Sequence, residues 1–190
     1  MEDAVRTLRK MGEFHMRDGF LVYGNPENPR HVVLFEKPHV FQKAVAVFAN
    51  RTALRDNYLF MCGRGVPSGK CLDFLKRLEP VKVAYFGDMD PVSFYTYLAY
   101  AQLSRNPSPK GRPAMKVRLG GITAADYAHM RGKTIKMSHD ELAVLDFVER
   151  FRPPQLRKEI GLLRETGWKV EMEALGAGIE EYVKYRAVQG

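Results

Sequence analysis

The sequence predicts an α/β fold: a mostly parallel four-stranded sheet with helices on both faces, followed by a helical C-terminal segment. Two observations carry this expectation. Three short apolar runs, Val32-Val33-Leu34-Phe35, Tyr58-Leu59-Phe60-Met61 and residues 81 to 86, are each followed by a loop and then by apolar residues at helical spacing. Strands that alternate with helices lie parallel, because each crossover helix must pack back onto the sheet. After Gly120-Gly121, strand-like runs give way to helical periods. The chain divides accordingly into a short extension (1–30), a core (31–128) and a helical C-terminal segment of the same domain (129–190).

The extension reads as a short helix, roughly Ala4 to Met11, and then a turn-rich stretch containing Gly24-Asn25-Pro26-Glu27-Asn28-Pro29, which cannot continue regular structure. From His31 the first apolar run fits a strand buried on both faces. Pro38 suits the first turn of a helix, where its missing N–H has no partner to lose, and Phe41, Ala44, Val45 and Phe48 give that helix an apolar stripe. The second run enters the glycine-rich loop Gly63-Arg64-Gly65-Val66-Pro67-Ser68-Gly69, and a helix with Leu72, Leu75 and Leu78 on one side follows. After the third run, Pro91 opens a helix through Phe94, Tyr95, Leu98 and Ala99. The linker Asn106-Pro107-Ser108-Pro109 precedes a fourth strand, Met115 to Leu119. Helices are expected over about 123–130, 139–150, 155–164 and 170–185. Ser138 and Glu141 have the spacing of a capping box for the second of these.

Composition narrows the partners. Thirty Lys and Arg against 22 Asp and Glu give a net charge of +8, which favours an anionic partner, with nucleic acid the first candidate. Between Arg105 and Lys136 lie Arg105, Lys110, Arg112, Lys116, Arg118, Arg131, Lys133 and Lys136, with Asp126 the single acid. So lopsided a block reads as an electrostatic footprint. The first residues lack the apolar run of a signal peptide, and no segment approaches the apolar length of a membrane span. With only Cys62 and Cys71, and no CxxC, the expectation is a reduced, intracellular protein, cytoplasmic or nucleoid-associated, with no membrane partner.

Parallel sheets bind ligands beyond the carboxyl ends of their strands. Glu36 follows the first apolar run, Asp88 follows the third across Gly87, and Asp90 stands just before Pro91. If the first and third strands are neighbours, the three carboxylates meet at one sheet edge, with Met89 facing elsewhere. Like charges sharing a site oppose one another's ionisation. A hard divalent cation resolves the conflict: Mg²⁺, with Mn²⁺ as an alternative, accepts one or two carboxylates and takes its remaining ligands from water and phosphate. The alternative is that Asp88 is a helix N-cap and Glu36 a solvated strand end. The glycine-rich loop fails the phosphate-loop pattern, because Arg64 and Cys71 replace required residues. Its glycines would still let the chain pass close to a DNA phosphate, with Arg64 and Lys70 supplying charge, and a plain turn remains the other reading.

These pieces resemble a family. VVLFEKPHVFQKA, MCGRGVPSGKCLDFLKRL and VAYFGDMDPVSFYTYLAY are similar, in order and spacing, to segments of the Toprim domain of the A subunit of type IIB DNA topoisomerases (topoisomerase VI) and of the related meiotic double-strand-break protein. VRLGGITAADY and LRKEIGLLRETGWKVEMEAL continue the likeness, over roughly residues 31 to 176. The resemblance implies a Toprim, Rossmann-like fold. It places Glu36, Asp88 and Asp90 on the family's catalytic, metal-binding acids. DNA is the implied substrate, a homodimer the implied assembly, and a separate ATPase the implied partner. Family members cleave DNA with a tyrosine in a domain N-terminal to Toprim. Only about 30 residues precede the first strand here, and the expectation is that this domain is lacking and that a separate polypeptide would have to supply the tyrosine. Pro91-Val92-Ser93 stands where relatives usually carry a glycine. Two functions follow. One is Mg²⁺-dependent DNA processing, as a nuclease or as the metal-binding half of a cleaving complex, with Lys37, Arg64, Lys70, Arg112, Lys116 and Arg118 along the DNA. The other is a non-catalytic DNA-binding or assembly protein.

Overall fold

The computed structural model describes residues 14–17, 19–24, 29–48, 57–78, 82–101 and 116–188. Its centre is the expected set of four parallel strands: β3 (His31–Phe35), β4 (Tyr58–Cys62), β5 (Lys82–Phe86) and β6 (Lys116–Leu119). Their spatial order is β4-β3-β5-β6, and Phe35 lies level with Cys62 on one side and with Phe86 on the other. Val32 to Phe35 and Leu59 to Cys62 are buried throughout, as strands covered on both faces must be.

The sheet is larger than expected. β1 (Phe14–Arg17) and β2 (Phe20–Gly24) form an antiparallel hairpin whose second strand pairs antiparallel with β4, giving six strands in the order β1-β2-β4-β3-β5-β6. This corrects the reading of the stretch before Gly24 as turn-rich. Phe20, Leu21, Val22 and Tyr23 are all buried and belong to the core; a run apolar on both faces suits a strand flanked on both sides, here by β1 and β4. The helix expected over Ala4 to Met11 lies outside the described residues.

Crossover helices follow from the topology. α1 (Pro38–Phe48) carries the chain from β3 to β4, and α3 (Pro91–Ala101) carries it from β5 to β6 in the opposite direction across the sheet. Right-handed crossovers therefore set α1 and α3 on opposite faces. α2 (Gly69–Arg77) begins at Ser68, whose hydroxyl accepts the Cys71 N–H at 3.2 Å. A short helix α4 (Ala124–Tyr127) and a 3-10 turn (Ala128–Lys133) fill the expected helix near residue 123. α5 (His139–Arg150) opens with the anticipated Ser138–Glu141 capping box and packs on α3. α6 (Arg157–Thr166) stops at Gly167, whose φ of 74° terminates it.

The region expected as one helix over 170–185 departs from that expectation. A two-residue strand β8 (Trp168–Lys169) pairs with β7 (Ile135–Lys136), and Val170 then forms an antiparallel bridge with Met89 through bonds of 2.9 and 3.2 Å. A 3-10 segment (Met172–Gly178) broken at Gly176, where φ is 56°, precedes α7 (Ile179–Val188), which packs on α1. The backbone groups of Val170 are taken by the β5–α3 loop, so no helix can start there. Among the described residues, no helix is long and apolar enough to cross a membrane.

Candidate functional site

Glu36 is the first residue beyond β3, and its N–H donates to the Phe86 carbonyl at 3.0 Å. That bond ties the ends of β3 and β5 together and places Glu36 beside the Gly87-Asp88-Met89-Asp90 turn. The glycine-rich loop closes on the same point: the Gly63 N–H donates to Phe35 O at 3.1 Å and the Gly65 N–H to Glu36 O at 3.2 Å. Gly63 has no room for a side chain, since a Cβ there would fall 1.8 Å from the Tyr100 hydroxyl oxygen. Gly121 is equally constrained, with its Cβ position 2.2 Å from the Gly87 carbonyl oxygen. The acidic turn is thus held by backbone laid directly against backbone.

Each carboxylate has its own partners. The Tyr85 hydroxyl donates to Glu36 Oε2 at 3.0 Å, and Ser93 also hydrogen-bonds Glu36. Asp90 accepts the Ser93 N–H on Oδ1 at 2.6 Å, and its carbonyl accepts the Phe94 N–H at 3.1 Å. The helix-capping role anticipated as an alternative for Asp88 therefore belongs to Asp90. Asp88 accepts the Met172 N–H at 2.8 Å and lies 2.6 Å from Lys37 Nζ. Lys37 also reaches both oxygens of Glu173, at 3.0 and 2.9 Å. Lys169 pairs with Glu141 at 2.6 Å and Glu171 at 3.5 Å.

Burial and mutual repulsion govern the ionisation of this edge. Desolvation pushes Asp88 up to about 6, with neighbouring Asp90 adding to the shift and Lys37 opposing it. Asp90 also rises to about 6 by burial, its Ser93 bond opposing and Glu36 adding. Burial raises Glu36 as well. Burial opposes the charge on Lys37, but the Asp88 and Glu173 carboxylates outweigh it and hold the ammonium above its ordinary range.

Among the described residues, no group of three or more His, Cys, Asp or Glu is gathered so as to hold a metal ion. The donor chemistry nonetheless suits a hard cation, because all the acids offer oxygen and Mg²⁺ needs only one or two protein carboxylates. Burial, with mutual repulsion second to it, is what disfavours the charged form of the two aspartates, and a cation among them would offset both.

The expected basic residues fall apart into two sets. Arg64 is exposed on the loop beside Glu36 and Lys70 in the first turn of α2, and Arg64 takes a left-handed φ of 58° that is uncommon for a residue with a side chain. Lys116 is exposed at the start of β6, at the opposite end of the strands. Arg118 is half-buried, and its guanidinium donates to the carbonyls of Arg186 (2.5 Å) and Ala187 (3.5 Å), where it closes the C-terminal end of α7. Arg112 lies outside the described residues. Sequence reasoning missed Tyr85, Ser93 and the Val170–Glu173 strap. A tyrosine in a strand buried on both faces must find a partner for its hydroxyl, and that was the available signal for Tyr85; nothing local to residues 170–173 points to Asp88.

A parallel sheet with an acid after one central strand and an Asp-x-Asp turn after its neighbour defines a Toprim-type domain. A family model for the Toprim domain common to Spo11 and the A subunit of topoisomerase 6 matches residues 31–186, and the chain belongs to that family. The match runs through most of α7, further than the sequence likeness to residue 176. A curated relative, the probable meiosis-specific protein SPO11 homolog of Encephalitozoon cuniculi (strain GB-M1), is 26% identical over 148 residues. That alignment covers 77% of this chain and 48% of the relative, so the chain spans about half the relative's length. Among solved structures, wild-type Cfl2 from Burkholderia cenocepacia aligns over 93% of this chain and 72% of its own, at 15% identity and a TM-score of 0.30, a score too low to bear on the fold or the function.

Proposed function

We propose that this chain is a Mg²⁺-dependent DNA-processing protein, acting in phosphodiester cleavage or as the metal-binding half of a DNA-cleaving complex. The observation that carries the reading is the pair of buried aspartates, Asp88 and Asp90, both raised to about 6 at the carboxyl end of the parallel sheet, beside Glu36. Glu36, Asp88 and Asp90 are the residues that would hold Mg²⁺ or Mn²⁺. A bound divalent ion supplies Lewis-acid stabilisation of charge developing on a scissile phosphate. The chain's own groups do the rest. Arg64, exposed on the adjoining loop, and Lys70, exposed in the first turn of α2, attract and align the DNA backbone, and the left-handed Arg64 projects its charge from a turn pinned to Glu36. Lys37 neutralises Asp88 until a cation takes over that task. As a family member the chain is suited to work as a homodimer, alongside a separate polypeptide that brings the cleaving tyrosine or an ATPase.

A second reading, of a non-catalytic DNA-binding or assembly protein, is favoured by one observation: Asp88 is already satisfied, by Lys37 and by the Met172 N–H. Cleavage of supercoiled plasmid with Mg²⁺ or Mn²⁺ separates the two. Nicking by the native chain that disappears in each of Glu36→Ala, Asp88→Ala and Asp90→Ala supports the first reading. Metal-independent DNA binding, unchanged in the three variants and without nicking, supports the second.

A further inference from the structure

We infer that Tyr85 and Ser93 are positioning residues for Glu36, forming a buried hydrogen-bonded link that sets one acid of the edge relative to another. The inference rests on the metal-binding reading above and deepens it.

Tyr85 is fully buried in β5, two residues before Gly87. Its hydroxyl lies 3.0 Å from Glu36 Oε2, 3.2 Å from Ser93 Oγ and 3.3 Å from the Ser93 carbonyl oxygen. Ser93, also buried, gives its N–H to Asp90 Oδ1 at 2.6 Å. A continuous line therefore runs Glu36–Tyr85–Ser93–Asp90 beneath the acidic edge, and it joins β3, β5 and the first turn of α3. The Tyr85 hydroxyl has one proton to donate, and the carboxylate is its strongest acceptor. With Oε2 held from below, the Glu36 carboxylate is restricted in where it can turn before any cation arrives.

The link depends on a missing side chain. A Cβ on Gly87 would fall 2.1 Å from Ser93 Oγ and 2.7 Å from the Tyr85 hydroxyl oxygen. Gly87 thus leaves the space in which the two hydroxyls meet. Partners of ligating carboxylates fix ligand orientation, and their loss typically weakens metal binding about 10- to 100-fold.

The test is a double-mutant cycle read by Mn²⁺ titration of the intact chain, with thermal unfolding as a control. Tyr85→Phe keeps the ring and its packing while removing the hydroxyl, and Ser93→Ala removes the second one. The expected result is Mn²⁺ binding weakened about ten-fold by Tyr85→Phe, and by a smaller factor in Ser93→Ala. In a Glu36→Ala background, which itself weakens binding and leaves no acceptor for the hydroxyl, the further loss from Tyr85→Phe should vanish, because the hydroxyl acts through that carboxylate. A Tyr85→Phe effect of equal size in both backgrounds overturns the positioning role, as does unchanged affinity in both folded single variants. If Tyr85→Phe fails to fold, Ser93→Ala carries the same cycle. Native protein that binds no Mn²⁺, or Glu36→Ala that binds as tightly as the native chain, overturns the metal-site reading itself, and the two failures are thereby distinguished.

Discussion

Replacing Asp90 by Asn should stabilise the protein at neutral pH, and the size of the gain follows from the structure. Asp90 is 7% exposed, and burial lifts its carboxyl from 3.8 to about 6. In the unfolded chain the group loses its proton near 3.8; in the folded chain it keeps it until about 6. Between those values the folded state holds more protons, so stability falls as pH rises, and the whole penalty is present above about 6. About two pKa units at 1.36 kcal/mol each amount to roughly 3 kcal/mol. Asn bears no charge to desolvate, and its carbonyl oxygen can still accept the Ser93 N–H, since Asn and Asp cap helices about equally well. The variant should therefore be more stable by up to about 3 kcal/mol at pH 7.5, roughly 6–12 °C in Tm for a chain of this size. At pH 4 the gain should shrink to about half a kcal/mol, because the native carboxyl is then protonated when folded and nearly half so when unfolded. Urea unfolding followed by circular dichroism at both pH values measures the difference. A variant less stable at pH 7.5, or a gain independent of pH, would refute the claim that Asp90 is held charged against its surroundings.

Lys37→Met should have the opposite effect. It leaves Asp88, 3% exposed, without its 2.6 Å partner, and should destabilise the fold by about 1–3 kcal/mol at pH 7.5, less at pH 5, where Asp88 takes up a proton; denaturant midpoints at the two pH values check it. Gly121→Ala should cost about 3 kcal/mol or prevent folding, because its Cβ meets the Gly87 backbone rather than a movable side chain, as thermal unfolding will show. Replacing Arg64, Lys70 and Lys116 by alanine should flatten the log–log salt dependence of duplex DNA binding by up to about 2.7 units, at about 0.9 per phosphate released. Arg118→Ala should leave that slope unchanged and lower Tm, since its guanidinium closes the end of α7; fluorescence anisotropy over a salt series distinguishes the two sets.

What the sequence shows of this fold depends on how local the cause is. The parallel core was legible because three of its four strands are short apolar runs, each with its own loop and helix, and the Ser138–Glu141 cap because its two members are three residues apart. Glu36 and the Asp88–Asp90 turn could be brought together in advance because strand ends line up once β3 and β5 are neighbours. The hairpin of β1 and β2 was obscured by the Gly and Pro residues that follow it, although Phe20 to Tyr23 are as apolar as any strand in the sheet. The strap at Val170 could not be read at all. Its helical spacing is genuine, but the bonds to Met89 and Asp88 span more than 80 residues, and only the folded chain shows that they outcompete a helix.

The charge pattern of the whole molecule bears on how the acidic edge can work. The chain carries a net charge of +8, yet Glu36, Asp88, Asp90, Glu141, Glu171 and Glu173 lie around one edge with Lys37 and Lys169 as their paired cations. A polyanion drawn to the chain by its overall charge would meet excess negative charge at this point. Lys37 cannot serve the carboxylates and a phosphate fully at once, because its ammonium is engaged by Asp88 and Glu173. A divalent cation held by the aspartates would remove the conflict, since Asp88 would no longer need Lys37 and the ammonium could turn to a phosphate. Two measurable consequences follow from that competition. Mg²⁺ should raise Tm more at pH 7.5 than at pH 5, where protons already occupy Asp88 and Asp90. DNA should bind more tightly with Mg²⁺ than with a monovalent salt of equal ionic strength, and Lys37→Met should abolish that excess while leaving the metal-induced rise in Tm.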